Sequence, residues 1–325
     1  MQISFRRVTA LLAAALLLSP AAGQAFDLQG HRGARGLAPE NTLPAFEQAL
    51  ALGVDTLELD IGVTADVVVV IAHDPWLNPN FTRDGAGQWL PEGRGPLLRS
   101  LTAAQLQGYD VGRLRPGTTY AKTFETQQPR DGTRIPTLAA LFDRVKALKA
   151  PVRFNIETKI NPAQPENTAS PEAMVQALLR VVRDAGMTSR VSIQSFDWRT
   201  LQLVRQQEPS IPTVHLTVQT ANNDNTRDPR WMAGLQLADH GSVPRLVKAA
   251  GGAVWSPNQG ALTEALVKEA QGLGLKVIPW TVNQPADMDR LIGWGVDGII
   301  TDYPDRLRDV MQRRGMALPA PVGVR

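Results

Sequence analysis

LQGHRGARGLAPENTLPAFEQALALGVDTLELDI, residues 28–61, reads as a strand, a helix and a second strand. Leu28–His31 is a short run that ends in a polar residue. In Thr42–Leu52, Leu43, Phe46 and Leu50 fall on one helical face, Thr42 is placed to cap the start, and Gly53 follows the end. Thr56–Ile61 then alternates, with Leu57 and Leu59 on one face and Glu58 and Asp60 on the other. The same rhythm continues to the C-terminus. Further strands are predicted at Val152–Glu157, Val191–Ser195, Thr213–Leu216, Ala253–Ser256, Lys276–Trp280 and Gly298–Thr301. Helices are predicted at Leu138–Leu148, Pro171–Ala185, Arg199–Gln207, Val243–Ala250, Thr263–Gly272 and Ala286–Gly293. Eight strands with intervening helices predict an α/β fold, a closed (β/α)8 TIM barrel. An open doubly wound sheet competes, but no G-x-G-x-x-G follows a strand.

Two stretches depart from the rhythm. Val67–Ile71 is an extra strand-like run, expected to extend the second barrel strand as a hairpin. Residues 75–136, rich in Gly, Pro, Arg and Asn, have little periodicity. A loop that long is usually functional or disordered, and its anchors set it above the C-terminal rim as a lid or subdomain. Gln219–Arg230 is polar and reads as a loop.

Composition narrows the setting. At 325 residues and 43% hydrophobic content, the chain can bury a sizeable core. Residues 1–25 read as a signal peptide: Arg6 and Arg7, an uncharged apolar run from Val8 to Leu18, Pro20, then Gly23-Gln24-Ala25. That run is too short to span a bilayer, so no stable membrane anchor is expected. Residues 26–325 would be one domain, exported to the periplasm or secreted. The formal charge of +3 falls to +1 without Arg6 and Arg7. No basic run interleaved with aromatics stands out, so nucleic acid is not an expected partner. With no cysteine, disulfides, lipoprotein anchoring and thiolate metal sites are excluded.

The chemistry-bearing residues gather at strand ends. Glu58 and Asp60 would both face the barrel axis, where two desolvated carboxylates cost several kcal/mol unless compensated. A divalent cation compensates both, and hard oxygen ligands suit Mg²⁺ or Ca²⁺. Glu157 ends the neighbouring barrel strand and can complete a three-carboxylate set, with Lys159 adding a positive charge for a phosphoryl oxygen. His31 and His73, two of only four histidines, fall on strand ends beside these acids. Imidazole is the natural proton shuttle near pH 7. Arg32 could fork onto a phosphate or pair with Glu40. Trp280 could floor a pocket, Gln194-Ser195-Phe196 carries a weak signal, His215 reads as a core or rim residue, and His240 as solvated.

Together, His31-Arg32-Gly33, Pro39-Glu40-Asn41-Thr42, Glu58-Leu59-Asp60, His73-Asp74-Pro75, Glu157-Thr158-Lys159 and Trp280-Thr281-Val282-Asn283 resemble the glycerophosphodiester phosphodiesterase family, in order from about residue 28 to residue 306. The resemblance implies a TIM barrel that hydrolyses glycerophosphodiesters to sn-glycerol 3-phosphate and an alcohol with one divalent cation, Ca²⁺ or Mg²⁺. It implies Glu58, Asp60 and Glu157 as metal ligands and His31 and His73 as the acid–base pair. Arg32 and Lys159 would contact phosphate, and Trp280 would wall the glycerol pocket. One departure is visible: family members commonly carry Gly after the Asp of the Thr-x-Asp turn, where this chain has Thr64-Ala65-Asp66-Val67. Water and the adjacent glycerol hydroxyl both remain open as nucleophiles. Two other readings stay open: a lysophospholipase D-like or phospholipase C-like enzyme on the same barrel, and a phosphodiester-binding protein without turnover. A binder would need the charges but not two proton shuttles.

Overall fold

The computed structural model describes residues 26–324, so the predicted signal peptide lies outside the described residues. Nine strands form one sheet: β1 (Asp27–Gly30), β2 (Thr56–Val63), β3 (Val69–Ile71), β4 (Arg153–Thr158), β5 (Val191–Ser195), β6 (Thr213–Thr217), β7 (Val254–Pro257), β8 (Lys276–Val277) and β9 (Gly298–Thr301). Eight run parallel in the order β8-β7-β6-β5-β4-β2-β1-β9, and β3 pairs antiparallel with β2. Backbone hydrogen bonds from Asp297 N to Val277 O (2.9 Å) and Ile300 N to Pro279 O (3.0 Å) bridge the seam. The result is the expected (β/α)8 barrel, nearly closed.

The helices are α1 (Leu43–Leu52), α2 (Ala103–Leu106), α3 (Thr119–Thr123), α4 (Leu138–Ala147), α5 (Pro171–Asp184), α6 (Trp198–Gln207), α7 (Val243–Ala249), α8 (Glu264–Gly272), α9 (Pro285–Gly293) and α10 (Pro304–Arg313). Thr42 caps α1 by accepting the Ala45 N–H, and Gly53 ends it at φ 90°. The outward residues of β2, Leu57, Leu59 and Ile61, are fully buried in the main apolar cluster, which also takes in Phe46 of α1 and Leu178 of α5. Alternation then turns Glu58 and Asp60 inward, and both are buried.

Three expectations need correction. β8 stops at Val277 rather than Trp280, because Pro279 has no N–H to continue the ladder. α10 was not anticipated: it is highly charged, yet Leu307, Val310 and Met311 make one buried stripe and Pro304 starts it. The run predicted from Val67 is strand only from Val69. Residues 75–136 hold α2 and α3, and Leu77, Leu90, Leu98, Leu106, Val111 and Ile135 from this segment join Val70 in a second apolar cluster.

Val67 sits at φ 61°, a region disfavoured for a β-branched residue, and is 59% exposed. The turn is held around it: Thr64 Oγ1 donates to Asp66 Oδ1 (2.6 Å), and Val67 N donates to Thr64 O (3.1 Å). Here the missing glycine has a cost of about 1 kcal/mol. Val67→Gly is expected to raise Tm by about 2 °C with unchanged turnover, measured by calorimetry. A lowered Tm would contradict the reading.

Candidate active site

The loop after β1 folds tightly against α1. Arg32 adopts φ 50° and Gly33 φ 83°. A Cβ on Gly33 would lie 2.6 Å from the Ala45 carbonyl carbon, so only glycine fits. This turn lets Arg32 N donate to Glu58 Oε2 (2.8 Å), which fixes one carboxylate oxygen of Glu58. The Pro39–Thr42 stretch then divides its work. Glu40 holds the Arg32 guanidinium (2.7 Å), Asn41 Nδ2 donates to Asp60 Oδ2 (2.9 Å), and Thr42 caps α1. The alternative reading of Arg32, a salt bridge with Glu40, is therefore present, and it is buried.

Parallel register places Asp60 opposite Glu157 and Glu58 opposite Asn155. Glu58, Asp60 and Glu157 each offer an oxygen within 4.8 Å of the others, and all three are buried. Burial and the neighbouring Asp60 push the Glu58 carboxyl well above its usual range. Burial also lifts Glu157 to about 7 against the pull of Lys159. Burial would raise Asp60 too, but Arg32, His73 and Lys159 outweigh it and hold Asp60 low. Lys159 Nζ lies 2.7 Å from Glu157 and 3.7 Å from Asp60, while Arg32 Nε lies 3.3 Å from Asp60. Asp60 Oδ1 is buried with no hydrogen-bond partner. Three convergent hard oxygens, two of them pushed toward protonation and one orphaned, fit a divalent cation.

Each imidazole leans on a carboxylate. His31 Nδ1 is 2.6 Å from Asp302 Oδ1, and its Nε2 points to Glu58 Oε2 at 3.9 Å. His73 Nδ1 is 2.9 Å from Asp74 Oδ1. An ionised carboxylate only accepts, so each Nδ1 carries the proton and each Nε2 presents a lone pair. Burial and Arg35 lower His31 to about 4 despite Asp302. Burial, then Arg32 and Lys159, lower His73 as well, although its side chain keeps 31% exposure. Both shifts favour the neutral imidazole.

Sequence reasoning passed over Asp302, Arg35 and the role of Gln194. Asp302 follows β9 and accepts from His31, from Arg35 Nε (2.8 Å) and Nη2 (3.0 Å), and from Asn283 Nδ2 (2.7 Å). Gln194 Nε2 donates to Glu58 Oε1 at 2.6 Å. The signal that could have found both is position: an acid just past the last barrel strand, and a polar side chain on an inward strand position. A cleft of about 210 Å³ opens beside this cluster, lined by His73, Glu157, Lys159, Trp76, Phe196 and Trp231 among others. Trp280 stands next to it, edge-on to Phe196 with ring centroids 5.4 Å apart, and donates its indole N–H to Ser256 O (3.0 Å).

His215 stays apart. It is buried edge-on against Trp198 (centroids 4.7 Å), and its Nδ1 has no partner. Burial, then Arg205, lowers its pKa to about 3. The folded value lies below the unfolded one of about 6.5, so this contribution to stability is complete above pH 6.5 and is lost as pH falls toward 3. His215→Leu is expected to reduce the pH slope of stability by up to about 1.4 kcal/mol per unit between pH 6 and 4. Urea midpoints across that range check it, and an unaltered slope would contradict it.

The sequence matches the glycerophosphoryl diester phosphodiesterase family over residues 31–306. It is 31% identical over 285 residues to a glycerophosphodiester phosphodiesterase of Bacillus subtilis (strain 168), covering 86% of this chain and 84% of that one. A solved glycerophosphoryl diester phosphodiesterase candidate from Silicibacter pomeroyi DSS-3 is 37% identical with a TM-score of 0.81, over 90% of this chain and 95% of that one. An Oleispira antarctica phosphodiesterase, solved with its product sn-glycerol-3-phosphate, shares the fold at TM-score 0.65 and 20% identity, over 88% and 96% of the two chains.

Proposed function

Because the chain belongs to the glycerophosphoryl diester phosphodiesterase family, we propose that this mouth of the barrel hydrolyses glycerophosphodiesters to sn-glycerol 3-phosphate and an alcohol. The observation that carries the reading is the convergence of Glu58, Asp60 and Glu157 beside two carboxylate-backed imidazoles.

Glu58, Asp60 and Glu157 are the residues that would hold a divalent cation, Ca²⁺ or Mg²⁺. When bound, the cation supplies Lewis-acid withdrawal of charge from the phosphoryl oxygens. Arg32 and Lys159 add fixed positive charge at the same place, which favours the more highly charged pentacoordinate transition state. The P–O bond to the alcohol breaks as a new P–O bond forms from the nucleophile. One neutral imidazole takes the nucleophile's proton at Nε2, while the other takes up a proton from solvent as the anionic phosphodiester binds beside it and delivers that proton to the leaving alkoxide. Asp302 and Asp74 hold the two rings in the tautomer that leaves Nε2 free and stabilise the imidazolium as it forms. Trp280 and Phe196 offer apolar surface to the glycerol carbons.

Residues 75–136 are assigned to selecting the alcohol, since Trp76 from this segment lines the cleft. Residues 1–25 are assigned as an export signal, which would place the enzyme in the periplasm or outside the cell. Among the described residues, no helix is long and apolar enough to cross a membrane.

The test is release of glycerol 3-phosphate from glycerophosphocholine by protein first treated with chelator, then given Mg²⁺ or Ca²⁺. Activity that appears only with the cation supports the reading. Full activity in the chelated protein, or none with either cation across several glycerophosphodiesters, would overturn it.

A further inference from the structure

The barrel interior is divided into two sectors. Val214, Val254, Ile278 and Ile300 fill one side with apolar groups. The other side carries a buried line of amides. Asp27 Oδ2 accepts from Gln29 Nε2 (2.9 Å), and Gln29 Oε1 accepts from Asn155 Nδ2 (3.0 Å). The same Asn155 Nδ2 donates to Gln194 Oε1 (2.9 Å), and Gln194 Nε2 donates to Glu58 Oε1 (2.6 Å). Gln29 is 3% exposed, and Asn155, Gln194 and Glu58 are 1% exposed, so water cannot substitute for these bonds. A TIM-barrel interior is usually packed with branched apolar side chains, so an axial amide line needs a reason.

The direction of the line supplies one. A carboxylate only accepts, so both ends demand an N–H. The two N–H bonds of one Asn155 amide serve the two glutamine carbonyls, which leaves each glutamine's own amine facing a carboxylate. Ser192 Oγ donates to Asn155 Oδ1 (3.1 Å), so the asparagine carbonyl has a partner of its own while its amine serves the two glutamines. Gln194 thus meets Glu58 with a donor, never a carbonyl. With Arg32 N on its other oxygen, Glu58 is held at both ends.

We propose that Asn155 and Gln194 are positioning residues for the metal-ligand role of Glu58, with Asn155 acting solely through Gln194. The inference rests on the metal site described above. Asn155→Asp keeps size but loses both N–H donors, so Gln194 loses its fixed orientation. Gln194→Met removes the donor itself. Partners behind a metal ligand commonly change affinity by about 10–100-fold, and that weakening of Kd for Ca²⁺ or Mn²⁺ is expected for each single variant.

The double variant separates positioning from general damage. If Asn155 works through Gln194, Asn155→Asp adds nothing once Gln194 is Met, and the double variant binds no more weakly than Gln194→Met alone. Isothermal titration of the full chain with each cation reads this directly, with circular dichroism confirming the fold and Asn155→Ala standing in should the aspartate variant not fold. Wild-type Kd in the Asn155 variant, or losses that multiply in the double variant, would overturn the proposal. Wild-type protein that binds neither cation would overturn this proposal together with the metal site. Normal wild-type binding with an unaffected Asn155 variant overturns this one alone.

Discussion

Alanine at His31 or at His73 is expected to lower kcat on glycerophosphocholine by about 10²–10⁴-fold, the usual loss when a proton-transfer group is removed. The two rings occupy separate positions, one backed by Asp302 after β9 and one by Asp74 after β3, so neither can take over the other's proton. The loss is expected on kcat because in the proposed mechanism both imidazoles act while charge moves, whereas Arg32, Lys159 and the carboxylates that would hold the cation stay in place. The fold is expected to persist. His31 opens a loop whose backbone is tied to Thr301 O and Glu58 O, and His73 is partly exposed. Steady-state assays at saturating cation check the result, with circular dichroism as the control on folding. A His31→Ala, His73→Ala double variant with wild-type turnover would remove proton transfer by these residues from the account.

Asp60→Asn is expected to lower kcat/KM by about 10³-fold, since loss of cation-borne charge stabilisation is worth several kcal/mol at 1.36 kcal/mol per decade. Asparagine preserves the shape of the side chain. It takes away the charge that Arg32, His73 and Lys159 hold in place and one of the three hard oxygens. Titrating Mg²⁺ or Ca²⁺ into the assay distinguishes causes. The variant is expected to need far more cation and still fall short of wild-type kcat. Wild-type kcat/KM at an ordinary cation concentration would contradict the role given to Asp60.

How much of this could be read from sequence follows from range. Features set by local periodicity were legible: the Thr42 cap, the inward Glu58 and Asp60, and the helices whose apolar stripes are dense. α10 escaped because charged residues crowd its short stripe of Leu307, Val310 and Met311. β8 was drawn too long because Pro279 breaks a ladder without breaking the apolar run. The acids and histidines stood out because they sit close together along the chain. Asp302 did not, because it reaches His31 across 271 positions and carries no motif of its own. Gln194 had the weakest claim of all. An amide becomes informative only when both neighbours along the barrel axis are known. The missing glycine at Val67 was visible as a departure from the family pattern, but its cost needed the φ angle.

The most direct measurement is anomalous diffraction from a crystal soaked in Mn²⁺. The account predicts one strong peak within bonding distance of oxygens from Glu58, Asp60 and Glu157, with the Nε2 atoms of His31 and His73 on either side of it. A fully active crystal form whose only bound cation lies elsewhere, or whose three carboxylates turn away from one another, would contradict it.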